Sequence, residues 1–388
     1  MSNPLLFTPL SMRDVTLKNR IMISPMATYS AVDGHANDWH LGHIARLALG
    51  GAASVMVEAT AVTAQGRITN GDMGLWSSAH IAPLKRLADF MTAHGVVPSI
   101  QIGHAGRKGA MQRPWHGNGP ITPTDRARGD KTWDIVGPTA EPMAPGCITP
   151  QALSVGDLAT LKVQWADAAK RAVEAGFAFI EIHNAHGYLI HQFLSPLANK
   201  RNDAYGGDLA GRMRFPLEIA AAVRGAVPKG MPLSLRISAV DGLDGGWTIE
   251  DSVAYSAALK AHGIDVIACS SGGLVGSATT ARIKRTWGFQ VPYAAKVKKE
   301  AGVMSIAVGL IVDPRHAEHV LQQGDADIIA IGREALVNPS WPQQAEITLG
   351  RTAFDAMDDW PTQYGWWLKH RERSLEQVRS DVGDDWRR

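Results

Sequence analysis

The chain has 388 residues, 45% of them hydrophobic, with 39 basic against 37 acidic side chains. A net charge of +2 without long basic runs gives no electrostatic basis for binding nucleic acid or an anionic membrane, and no apolar stretch approaches a membrane span. Two cysteines, Cys147 and Cys269, rule out a disulfide scaffold and form no metal-ligand spacing. With no basic-then-apolar leader at the N-terminus, a cytoplasmic setting is expected.

Apolar runs predict strands at 21–24, 54–58, 98–102, 177–182, 233–237, 265–269, 304–308 and 327–331. Most run continuously instead of alternating, as parallel strands do when both faces are covered. The stretch 107–150, rich in Gly, Pro, Asp and Trp, is too long for an ordinary connection and follows the third strand. Loops of that length in compact domains are usually functional or disordered. A helix is predicted from Ser154, carrying Leu158, Leu161, Trp165, Ala168 and Ala172 at three- and four-residue steps, with Gly176 as its stop. Another opens at Asp313-Pro314, a capping residue before a first-turn proline.

Eight strands alternating with helices predict an α/β fold, a (β/α)8 TIM barrel. A doubly wound sheet also alternates, but no Gly-x-Gly-x-x-Gly turn follows the first strand. We expect one domain over 1–388: an N-terminal cap, a barrel at roughly 20–350, the long loop after strand three, and a C-terminal tail at 351–388. In that tail, Trp366-Trp367-Leu368 reads either as packing or as the edge of a site.

The fourth strand runs into His183-Asn184-Ala185-His186-Gly187-Tyr188. It delivers two imidazoles and a phenol to the strand end where barrels carry their chemistry. Neutral imidazoles can donate hydrogen bonds to an oxygen that gains negative charge, and a phenol can supply a proton. Metal ligation stays open, with Glu181 and His191 as further ligands. Gly309 after the seventh strand, and Gly332-Arg333 after the eighth, stand where barrels commonly bind phosphate. Arg236 and Gln101 lie inside apolar strands, where an arginine is costly unless paired or bound to an anion. A polar heterocycle would use both.

Taken together, these residues resemble the Old Yellow Enzyme family of FMN-dependent ene-reductases, closest to its bacterial, thermophilic-like class with the xenobiotic reductases. The likeness runs from Leu6-Phe7-Thr8-Pro9 to about Pro339. It includes Leu17-Lys18-Asn19-Arg20, Ser24-Pro25-Met26, Val57-Glu58-Ala59, His104-Ala105-Gly106-Arg107-Lys108, Phe193-Leu194-Ser195-Pro196 and the segment 201–207. The resemblance implies FMN as bound cofactor and NADPH or NADH as hydride donor. It implies Ser24, Pro25, Met26 and Ala27 along one side of the flavin, and Ala59 and Gln101 at its polar edge. Arg236 would lie at the pyrimidine end, Ser271 and Gly272 near the cofactor, and Gly309, Gly332 and Arg333 at the phosphate.

The same resemblance makes His183 and His186 the oxygen anchors, Tyr188 the proton donor, and Tyr29 and Trp367 substrate contacts, Trp367 through the tail and across a subunit interface. The implied substrate is a small activated alkene, and the implied assembly a homodimer or homotetramer. The class usually carries cysteine where this chain has Ala27. Two other readings remain at this point: a metal-dependent barrel hydrolase, and a flavin-binding protein without ene-reductase activity.

Overall fold

Eight parallel strands close into a barrel in their sequence order in the computed structural model, which describes residues 4–275 and 283–383. They are β1 (Ile21–Ile23), β2 (Ser54–Ala61), β3 (Val97–Gly103), β4 (Phe179–Asn184), β5 (Leu233–Ser238), β6 (Val266–Ser270), β7 (Met304–Ala307) and β8 (Ile328–Ile331). All eight coincide with the predicted apolar runs. Every residue of β4 and β6 is buried, because helices cover the outside while the barrel's own side chains fill the inside. The last five residues of the predicted tail lie outside the described chain.

Eight longer helices pack around the strands: α1 (Asp38–Ala48), α2 (Ile81–Ala93), α3 (Val155–Glu174), α4 (Leu209–Ala226), α5 (Ile249–Ala261), α6 (Val291–Ala301), α7 (Pro314–Gln322) and α8 (Trp341–Thr348). The start of α3 is set by a capping box in which Ser154 and Asp157 satisfy each other's backbone amides. Its residues Leu158, Leu161, Trp165, Ala168 and Ala172 are all buried. Asp313 caps α7 ahead of Pro314. A further helix, α9 (Thr362–Val382), forms the tail.

The N-terminal cap is a hairpin, Leu10–Met12 paired with Val15–Leu17. Met12 and Leu17 join Met22, Met56, Phe179, Ile306 and Ile328 in a cluster of their own, so the hairpin seals one barrel mouth. Chemistry is left to the other, carboxyl end of the strands.

Register layers the polar residues at that end. Gln101 pairs with Glu181 and Glu181 with Ser234, while His183 pairs with Arg236 one layer nearer the mouth. Between β2 and β3, Glu58 and Ala59 oppose the single residue Gln101, a bulge that redirects both. The stretch 107–150 is ordered by short elements, including a helix at Pro123–Ala127 and a two-residue strand, Val136–Gly137, paired with Gln151–Ala152.

Candidate active site

His183 ends β4, and the chain then turns sharply at His186, whose φ of 58° is uncommon for a non-glycine residue. Three contacts hold that turn. The His186 amide donates to Ser238 Oγ at 2.9 Å, and Lys108 Nζ donates to the carbonyls of His186 at 2.8 Å and Gly273 at 2.9 Å. The His186 ring is fixed by Nε2 against Ser270 Oγ at 2.7 Å. His183 Nδ1 accepts the Ala185 amide at 3.3 Å, so the proton of its neutral ring sits on Nε2. The two imidazoles are perpendicular, 5.2 Å between centroids, and Tyr188 stands 4.9 Å from His183.

Burial sets the protonation states. It holds His183 well below the ordinary imidazole range, helped by the positive Arg236 and Lys108. It does the same for His186, with His183 and Arg236 adding to the effect. Burial, followed by Tyr29 and Asp72, pushes Tyr188 well above an ordinary phenol. Near neutral pH the trio is therefore two neutral donors and one protonated acid.

The trio lines a cavity of about 120 Å3 together with Pro25, Ala27, Ala59, Gln101 and Arg236. Pro25, Ala27, His186 and Arg236 also line an adjoining cavity of about 640 Å3, walled further on by Ser24, Met26, Ser271, Gly309, Gly332 and Arg333. Most of the predicted site residues thus meet in one continuous region. Gly272 sits just behind it in the turn after β6, its carbonyl accepting Ser238 Oγ at 2.7 Å. Tyr29 lines neither cavity; its backbone is left-handed (φ 49°) and its ring faces Trp115 of the long loop at 5.9 Å. Trp367 stands apart on α9, 69% exposed, with Trp366 against its ring edge. Within one chain it does not reach the site, because α9 presents it to solvent.

The donor set fits a phosphorylated polar heterocycle. Among the described residues, Ser24 Oγ and Arg236 Nε are buried with no hydrogen-bond partner, and both residues face the large cavity. Glu181 lies behind Arg236 and supports its charge against the opposing effect of burial. At the far end, Gly309 (φ 111°) leaves no room for a Cβ, which would meet Gln290 Oε1 at 2.8 Å. A Cβ at Gly332 would find nothing nearer than Ser24 Cβ at 3.9 Å, so that backbone is open to a ligand. Arg333 begins the next helix beside it, suited to a phosphate.

Metal ligation finds less support. Glu181 Oε1 accepts Gln101 Nε2 at 2.7 Å and Oε2 accepts Ser234 Oγ at 3.2 Å. His191 Nε2 lies 2.8 Å from Asp241. Among the described residues, only His116, Asp125 and Asp130 bring three potential ligand atoms together, and there Asp125 pairs with Arg128 and Asp130 with Arg113.

Residues 5–351 match the NADH:flavin oxidoreductase / NADH oxidase family. The chain belongs to that family. It is a flavin oxidoreductase, with FMN as its cofactor and NAD(P)H as hydride donor. It is 42% identical over 350 residues to an NADPH dehydrogenase of a Geobacillus species, covering 90% of this chain and 95% of that one. Its fold resembles that of a 2-naphthoyl-CoA reductase solved with 2-naphthoyl-CoA (TM-score 0.79, 25% identity), covering 91% of this chain but only 53% of that one. It also resembles the Old Yellow Enzyme homologue of Zymomonas mobilis (TM-score 0.74, 23% identity), covering 92% and 97% of the two chains.

Sequence reasoning on this flavin oxidoreductase assigned no role to Lys108, Ser270 and Gln290, which brace the site from the loop after β3 and from the two ends of the connection between β6 and α6. Lys108 was visible only as the end of the His104–Lys108 segment of the family likeness, with no role attached to it. The Ser270 and Gln290 side chains, 3.3 Å apart and both walls of the large cavity, left no local signal.

Proposed function

We propose that the protein is an NAD(P)H-dependent ene-reductase that reduces C=C bonds conjugated to a carbonyl or nitro group. When bound, FMN supplies hydride chemistry, accepting from a nicotinamide and donating to carbon. Ser24 to Ala27, Ala59, Gln101, Arg236, Ser271 and Gly272 would hold its ring system, and Gly309, Gly332 and Arg333 its phosphate. His183 Nε2 and the free nitrogen of His186 hold the substrate oxygen and stabilise the negative charge that develops on it. Tyr188 gives its proton to the α-carbon, so that one hydride and one proton complete the reduction.

The observation that carries this reading is one cavity lined by two neutral imidazoles, a protonated tyrosine and the unpartnered Arg236 Nε. Assembly as a homodimer or homotetramer belongs to the same reading. It is supported by the solvent-facing Trp366 and Trp367, which a neighbouring subunit would cover.

The test is anaerobic flavin reduction by NADPH and by NADH, followed by reoxidation with enones, maleimides and nitro compounds. Reoxidation by at least one of these supports the proposal. Bound FMN that none of them reoxidises would leave a flavin-binding protein without ene-reductase activity.

A further inference from the structure

Tyr188 has a cavity on each side. Besides the space it shares with Arg236, it lines a smaller one walled also by His183, His104 and Asp72, with about 10 Å3 open to a water's centre. That is room for one water. His104 is 3% exposed, and its Nδ1 accepts the Gly106 amide at 3.0 Å, which leaves the proton on Nε2. Nε2 is buried without a hydrogen-bond partner among the described residues. Burial pushes this ring down to about 3, so it is neutral and offers a single N–H.

Asp72, on another wall, is held rigidly. Its Oδ2 accepts the Ile68 amide at 2.7 Å, and its Oδ1 accepts the Thr69 amide at 3.0 Å and hydroxyl at 2.7 Å. Oδ1 therefore has both lone pairs engaged, while Oδ2 keeps one site free. Tyr188, His104 and Asp72 thus border one space the size of a single water.

We propose that a water anchored by His104 Nε2 carries a proton from the Asp72 carboxyl to Tyr188 after each turnover. The inference rests on Tyr188 being the acid of the proposed reaction. Once Tyr188 has protonated carbon it is a phenolate. One O–H bond of the water breaks and its proton forms the Tyr188 O–H. In the same motion the water oxygen takes the proton of the Asp72 carboxyl, leaving a carboxylate that solvent reprotonates. His104 donates throughout and changes no charge.

Asp72 suits the task because burial raises it to about 6, so it still carries a proton part of the time near neutral pH. Arg67 in its own loop works against that rise. His104 and Tyr188 face it across the cavity, and Glu58 and Tyr29 lie within electrostatic reach.

The experiment uses FMN-loaded enzyme, a simple cyclic enone and the variants Asp72→Asn and His104→Gln. Each should slow multiple turnover about 10²-fold or more, within the range of general acid catalysis, while the first turnover from pre-reduced enzyme changes far less. Tyrosinate absorbance should build after that first turnover, and a small acid such as formic acid should restore the rate. Loss of both rates by the same factor without a tyrosinate signal, or no loss in either variant, overturns the relay. If Asp72→Asn fails to fold, His104→Gln carries the test alone. Tyr188→Phe separates the two levels. If it leaves the first turnover at the wild-type rate, the assignment of Tyr188 falls and the relay with it. If it slows that turnover while both relay variants behave as wild type, only the relay falls.

Discussion

Tyr188 meets His183 edge to face, ring centroids 4.9 Å apart and planes at 78°. The acid and one oxygen anchor are therefore a single packed unit, placed by one strand end and one turn. Tyr188→Phe keeps that packing and removes only the proton. It should slow the oxidative half-reaction by about 10²-fold or more while flavin reduction by NADPH stays near wild type. Stopped-flow traces of the two half-reactions check this, and equal slowing of both would assign the proton elsewhere.

The imidazoles act on charge that forms during reaction, so their removal should cost rate more than binding. For His183→Ala, kcat for an enone should fall by about 10²- to 10³-fold, the range for losing one donor to a developing oxyanion. The His186→Ala variant should lose more, since its ring also engages Ser270 Oγ at 2.7 Å. A rise in KM with kcat unchanged would show that the pair only binds substrate.

Much of this arrangement was legible in the sequence, for reasons that differ by residue. The strands were readable because a parallel barrel buries both faces, which leaves continuous apolar runs such as β4 and β6. The α3 and α7 starts were readable because capping chemistry is local, at Ser154 and Asp313. His183, His186 and Tyr188 share one short segment and could be read together. Lys108, Ser270 and Asp72 could not, because each acquires its role from a partner on another β/α loop. Trp367 was expected at the site through a family likeness, and its place depends on what covers α9, a matter of assembly and not of local pattern.

Arg333 opens a short helix after β8, beside the open backbone of Gly332. A guanidinium there should contribute a charge-assisted hydrogen bond to the FMN phosphate, worth about 1.5–3 kcal/mol. Arg333→Ala should accordingly weaken FMN binding by about ten- to a hundredfold, and the loss should shrink at high salt. Fluorescence titration of deflavinated protein measures it; an unchanged Kd would move the phosphate elsewhere in the cavity.

Ala27 lines both cavities where the family's class usually has cysteine. A methyl group offers the flavin no thiol. Ala27→Cys should therefore shift the flavin midpoint potential and change the relative rates of the two half-reactions while preserving turnover. Spectroelectrochemistry and stopped flow decide it, and a variant indistinguishable in both would make the position neutral.

Glu58 supplies a prediction about stability. The β2 bulge buries its side chain, which accepts the Thr28 amide at 2.8 Å, and burial lifts its carboxyl from 4.5 to about 8. Below pH 4.5 both folded and unfolded chains hold this proton, so the group adds no pH dependence. Between 4.5 and 8 the unfolded chain has released it and the folded chain has not. Stability then falls as pH rises, by up to about 1.4 kcal/mol per pH unit from this group. Above 8 both states are ionised and the full penalty remains. Glu58→Gln cannot ionise yet keeps an oxygen for the Thr28 amide. Its stability relative to wild type should therefore grow between pH 5 and pH 8, by an amount on the order of a few kcal/mol. Urea titrations at the two pH values measure that difference, and a constant offset between the proteins would mean that Glu58 is ionised in the folded chain.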